Sequence, residues 1–170
     1  MKILDQKTVF EGRRIKVRQD RVIEPSGKEI TRDIVIHPGA VAIVARPTPD
    51  QVVLIRQFRY ATGEELLEIP AGTLEPDEDP LDTARRELEE ETGYVASEMK
   101  LRASFYTTPG FTDEIMHLYE ASGLIRTQQR LEDDETIEIA LTAREDALRM
   151  AREGRIRDAK TLVGLLMVLA

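Results

Sequence analysis

Residues Gly72–Tyr94 read GTLEPDEDPLDTARRELEEETGY, six glutamates and two arginines spread over a loop and the helix that follows it. Asp79 has the side chain of a good N-cap, Pro80 suits the first helical position, and Asp82 stands where a capping-box partner would. The helix is predicted to run to about Thr92, with Gly93 as a left-handed stop. Glu87 and Glu91 lie four residues apart and share one face, and Glu90 is adjacent to both. Like charges at that spacing disfavour an isolated helix, so a cation belongs among them. Carboxylate oxygens favour a hard divalent ion such as magnesium or manganese.

The rest of the chain suits one soluble α/β domain. Its 170 residues are enough for a sizeable core, and 41% are hydrophobic. There is no cysteine, which excludes disulfides, zinc thiolates and a cysteine nucleophile and agrees with a cytoplasmic location. Residues Met1–Phe10 carry charges and lack the apolar centre of a secretory signal. The closing run Leu162–Ala170 is too short to cross a bilayer, so no membrane contact is expected. A net charge of −8 argues against nucleic-acid binding, which draws on clustered Lys and Arg. Any anionic substrate must therefore be attracted locally, by bound cations and a few placed arginines.

Strands are predicted at Thr8–Glu24 and Ile30–Ile36 around the turn Pro25-Ser26-Gly27-Lys28, as a hairpin. Further strands are predicted at Gly39–Ala45, Val52–Phe58, Ser104–Thr107, Ile115–Ala121 and Ile137–Leu141, and Leu66–Ile69 leads into Pro70 and the glutamate-bearing loop. Thr142 and Glu145 suggest a capping box for a helix ending near Gly154, and a last helix spans Ala159–Leu169. Strands with helices between and after them give an α/β arrangement around a mixed sheet.

Gly72, Glu78, Arg86, Glu87, Leu88, Glu90, Glu91 and Gly93 match the pattern G-x5-E-x7-R-E-U-x-E-E-x-G-U, with U a bulky aliphatic residue. The run therefore resembles the box of the Nudix hydrolases, departing only at the final position, where Tyr94 supplies the bulk. The resemblance implies a Nudix α/β/α sandwich over residues 38–170, preceded by an N-terminal β-hairpin extension, residues 1–37. It implies Glu87, Glu91, Glu90 and the Ala71 carbonyl as ligands of Mg2+ (or Mn2+), with Glu75 reaching a metal through water. Glu78 would fix the loop, and Arg86 would orient a glutamate. In this family the general base often lies on a loop outside the box. The acidic segment Leu131–Thr136 offers Glu135, with Glu90 as competitor.

Pro109 follows Gly93 by 16 residues, and its surroundings TTPGFTDE resemble the loop of bacterial ADP-ribose pyrophosphatases. The implied reaction is metal-dependent hydrolysis of ADP-ribose to AMP and ribose 5-phosphate. The alternatives are another nucleoside diphosphate derivative (a nucleotide sugar, NADH or a dinucleoside polyphosphate) or a non-catalytic ADP-ribose sensor. Arg59 and Arg32 are candidates for the phosphates or ribose, and Glu114 for a ribose hydroxyl or a further metal contact. The extension is expected to build a homodimer, with Phe10–Val17 at the interface and Arg32 reaching across; a hairpin covering its own core is the alternative.

Overall fold

The computed structural model describes residues 1–12, 15–131 and 135–170. Arg13 and Arg14, within the expected interface, and Glu132, Asp133 and Asp134, within the expected base loop, lie outside the described residues.

Strand β4 (Ala40–Ala45) organises the fold. All six of its residues are buried, and alternate side chains leave opposite faces of the sheet. Val41, Ile43 and Ala45 pack with Ala84 and Leu88, whereas Ala40, Ala42 and Val44 pack with Leu148, Ile156 and Leu165. An uninterrupted apolar run is what burial on both faces requires. Around it the main sheet has the order β10 (Ile137–Ala143), β5 (Gln51–Arg59), β4, β9 (Ile115–Arg126), β8 (Tyr94–Tyr106). β6 (Glu64–Glu68) pairs with β5, and β7 (Ala71–Thr73) with β4. β4 and β9 are parallel and the remaining pairs antiparallel. Helix α1 (Pro80–Thr92) covers one face; α2 (Arg144–Arg152) and α3 (Ala159–Val168) cover the other. This is the mixed-sheet sandwich expected from the sequence. Each fully buried aliphatic side chain of these layers contributes about 1.5–3 kcal/mol.

The extension holds the expected hairpin and one strand more. β2 (Lys16–Ile23) and β3 (Glu29–Ile36) flank a turn in which Gly27 has φ of +85°. The single strand predicted over Thr8–Glu24 breaks at Gly12, whose N–H donates to the Ile15 carbonyl at 2.9 Å. What precedes is a separate strand, β1 (Lys2–Glu11), giving a three-stranded antiparallel sheet. β1 is exposed along its whole length, so it carries no burial pattern from which to be read.

Four local expectations are corrected. The strand at Ser104–Thr107 is the end of the 13-residue β8, and Ile115–Ala121 extends to Arg126. α2 begins without a side-chain cap, because Ala143 and not Thr142 stands at the N-cap; Thr142 Oγ1 donates to the Ala140 carbonyl. On α1 Asp79 caps as expected, accepting from Leu81 N–H at 2.8 Å. Asp82, however, pairs with Arg85 and does not reach back. No helix among the described residues is long and apolar enough to cross a membrane.

Candidate active site

The loop Ala71–Asp79 folds back along α1. Gly72 lies so close to the helix that a Cβ there would fall 1.9 Å from Glu87 Cδ. A side chain at this position and the Glu87 carboxyl cannot occupy the same space. One turn further on, Glu91 is 3% exposed, and its Oε2 accepts from Ala71 N–H at 3.0 Å. The i, i+4 spacing therefore delivers both carboxyls to the backbone of β7.

Arg86 ties the loop to the helix. Its Nε and Nη2 donate to the two carboxylate oxygens of Glu78 at 3.0 and 3.1 Å. Nη1 donates to Glu87 at 2.8 Å and to Glu90 at 3.0 Å. This paired contact holds Glu78 down at about 2. Glu78 Oε2 also accepts the Glu75 N–H at 3.3 Å. Glu75 itself is exposed at the loop surface. Among the described residues no three carboxylates or histidines converge on one point; Glu78, Glu87 and Glu90 are gathered on Arg86.

Burial raises Glu87 despite Arg86, and Glu90 and Glu135 add to the effect. Burial pushes Glu91 up to about 8, against the Ala71 hydrogen bond, with Glu87 and Glu135 contributing. Glu135 thus stands within electrostatic reach of both helix carboxyls. Gly93 has φ of +63°, and a Cβ there would meet Gln129 N at 2.7 Å. Thr127 N–H donates to Gly93, Arg130 N–H to Glu90 and Gln129 Nε2 to Glu91, all to backbone carbonyls. Residues 127–130 are laid against the helix terminus in this way, directly before the segment that carries Glu135.

Oxygen donors suit a hard divalent cation, and Glu87 and Glu91, held against the backbone of β7, supply carboxyl oxygens and charge that such an ion would neutralise. The donor set fits the metal expected from the sequence.

The other sequence-selected residues fall in three places. Arg59 lies near Glu91, but its guanidinium is held by Glu68 through Nε at 2.8 Å and Nη2 at 2.7 Å. Arg32 pairs with Glu24 across the β2–β3 hairpin at 3.1 Å. Pro109 and Glu114 sit on the β8–β9 loop, where Glu114 accepts from Thr107 Oγ1 at 2.5 Å and faces His37 Nδ1 at 3.7 Å.

Sequence reading missed Glu68, which is 1% exposed and bound by both Arg59 and Lys160. Burial alone would raise it, yet the two cations hold it below the usual carboxylate range. Lys160 in turn contacts Asp158, the α3 cap, at 3.1 Å. The ELLEIP context offered no local sign of the pairing with Arg59 across β5 and β6, nor of Lys160, 92 residues further on. Gln129 was equally invisible, since its role depends on tertiary contact.

A family model described as NUDIX domain matches residues 36–163. The chain is 42% identical over 168 residues to an ADP-ribose pyrophosphatase of Bacillus subtilis, covering 95% of this chain and 91% of that one. It is also 42% identical over 171 residues to a methanol dehydrogenase activator of Bacillus methanolicus, covering 96% and 92%. A solved structure described as an ADP compounds hydrolase superposes with a TM-score of 0.87 at 22% identity, over 98% of this chain and 90% of that one. The glycine-led loop, the glutamate helix, the α/β/α layers and the family match agree: this chain belongs to the NUDIX domain family.

Proposed function

We propose that the chain hydrolyses the diphosphate of ADP-ribose, giving AMP and ribose 5-phosphate, in a reaction that depends on Mg2+ or Mn2+. The observation that carries this is the placing of Glu87 and Glu91 on one face of α1 against β7, Glu87 packed on Gly72 and Glu91 accepting the Ala71 N–H, in a chain of the NUDIX domain family. Glu87, Glu91, Glu90 and the Ala71 carbonyl would hold the cation, with Glu75 through water; when bound it would neutralise diphosphate oxygens and make a water more acidic. Glu135 accepts the proton of the attacking water as the water oxygen bonds to one phosphorus and the bridging P–O bond breaks; Glu90 is the competing base. Arg86 keeps Glu78, Glu87 and Glu90 in register. Arg59, held by Glu68 near Glu91, would meet a phosphate or the ribose, Glu114 a ribose hydroxyl or a further metal, and Pro109 would shape the substrate loop.

The name of the Bacillus subtilis relative supports the substrate. The first 37 residues act as a dimerisation arm that brings Arg32 to the neighbouring subunit's site. The exposure of β1, with Phe10 54% exposed, supports that reading. The lack of cysteine supports a cytoplasmic location. A second reading, modulation of a dehydrogenase, is favoured by the 42% identity to the relative named as an activator.

The test is incubation with ADP-ribose, an ADP-sugar, NADH and diadenosine polyphosphates, each with Mg2+ and with EDTA, followed by chromatography. Metal-dependent AMP release, fastest from ADP-ribose, is expected. Faster turnover of another compound would retire the ADP-ribose assignment. Acceleration of a methanol dehydrogenase by the chain, without turnover of any nucleotide, would favour the second reading.

A further inference from the structure

The β8–β9 loop, residues 107–114, is fastened to the N-terminal sheet. Its turn closes on itself, with Phe111 N–H and Thr112 N–H both donating to the Thr108 carbonyl at 3.2 Å. Beyond that turn the bonds run to β3. Val35 N–H donates to the Phe111 carbonyl at 2.7 Å, and Asp113 N–H to the Val35 carbonyl at 3.3 Å. Val35 and Thr112 form an isolated parallel bridge. Asp113 Oδ1 accepts the His37 N–H at 2.8 Å. The free edge of β3, opposite its pairing with β2, is thus the rail on which the loop lies. Arg18 of β2, itself held by Asp20 at 2.7 Å, exerts an electrostatic pull on Asp113. Residues 1–35 lie outside the NUDIX match, yet they supply this rail.

We infer that Asp113 is a positioning residue: by accepting the His37 amide it locks the Pro109–Glu114 loop to β3 and so sets the loop's place beside the substrate. The inference rests on the proposed role of that loop in binding ADP-ribose. An exposed loop of eight residues has many alternative conformations, and fixing it in advance lowers the ordering cost of binding. The α1 carboxyls and the Ala71 carbonyl of β7 have no part in these bonds. Loss of the latch should therefore weaken substrate binding more than the chemical step.

Asp113→Ala removes the acceptor, whereas Asp113→Asn keeps an oxygen at the same reach. With ADP-ribose and Mg2+, the Ala variant is expected to raise KM about fivefold to tenfold with kcat within about twofold, the scale of one lost hydrogen bond. The Asn variant should return KM to near the wild-type value. Hydrogen exchange on the same proteins supplies a readout independent of turnover. The amides of Val35, His37 and Asp113 should exchange faster in the Ala variant, while those of Ala42 and Val44 stay protected. Unchanged exchange at His37 would overturn the latch. Unchanged KM despite faster exchange would overturn its role in positioning. A fall in kcat with deprotected β4 amides, repeated in the Asn variant, would assign Asp113 to general stability instead. Exchange is measured whether or not ADP-ribose is hydrolysed, so failure of the latch and failure of the substrate assignment give different results.

Discussion

Replacing Glu91 by Gln removes a charge that the folded chain resists. The carboxyl stands at about 8 against an ordinary 4.5, chiefly through burial, and only 3% of the residue is exposed. Its folded value exceeds its unfolded value, so between those two the native state holds a proton that the unfolded chain has released. The stability contributed by this group is therefore complete below 4.5, declines as pH rises, and is lost above about 8. The full interval corresponds to roughly 4–5 kcal/mol, and coupling to the neighbouring Glu87 brings the expectation to about 3 kcal/mol. Glutamine cannot ionise and retains an oxygen for the Ala71 N–H. In EDTA, wild type and variant should be nearly equal in stability at about pH 5. At about pH 8.5 the variant should be the more stable by about 3 kcal/mol, or roughly 6–12 °C in Tm for a chain of this size. Adding Mn2+ or Mg2+ should reverse the order, because bound cation stabilises only the chain that can hold it. The assay is urea unfolding followed by circular dichroism, across pH, with and without metal. A variant less stable than wild type at high pH in EDTA, or a difference independent of pH, would refute the reasoning.

Gly72→Ala should displace the Glu87 carboxyl, given the 1.9 Å approach. Mn2+ affinity measured by calorimetry should fall about tenfold or more, as when a ligand loses its support, with only a small change in Tm. Gly93→Ala meets both the left-handed backbone and the Gln129 amide; thermal unfolding should report a loss of about 2 kcal/mol or more. Glu135→Gln should lower kcat for ADP-ribose by about 10²–10⁴, with KM little changed; an equal loss in Glu90→Gln alone would transfer the role of base. Glu68→Gln leaves Arg59 and Lys160 without their shared carboxylate and should cost about 2–4 kcal/mol in denaturant unfolding.

The box was legible because its chemistry is local. Asp79, Pro80, Glu87, Glu91 and Gly93 act within one loop and helix, where spacing in sequence translates into position in space. β4 was equally readable, since burial on both faces leaves an unbroken apolar run. β1 was lost for the opposite reason, as a strand exposed on both faces has no alternation to betray it. β8, open along most of its length, showed only its last residues. Arg59 was found but Glu68 was not, because a cation in an acidic chain draws notice while a glutamate among glutamates does not. The contacts of Asp113 with β3 depend on tertiary folding, and nothing in TTPGFTDE announces them.

The close approach of Gly72 to Glu87, the Ala71–Glu91 bond and the Arg86–Glu78 pair all fall within residues 71–91. The carboxyl cluster on α1 is built by one continuous stretch of chain, whereas the residues proposed to meet the substrate and its attacking water come from β3, β5, the β8–β9 loop and the segment before β10. Evolution can therefore recast those distant pieces for new ligands without reopening the inherited centre. A protein engineer seeking altered selectivity would do well to draw a library from residues 107–114 and the edge of β3, leaving 71–91 as a fixed cassette.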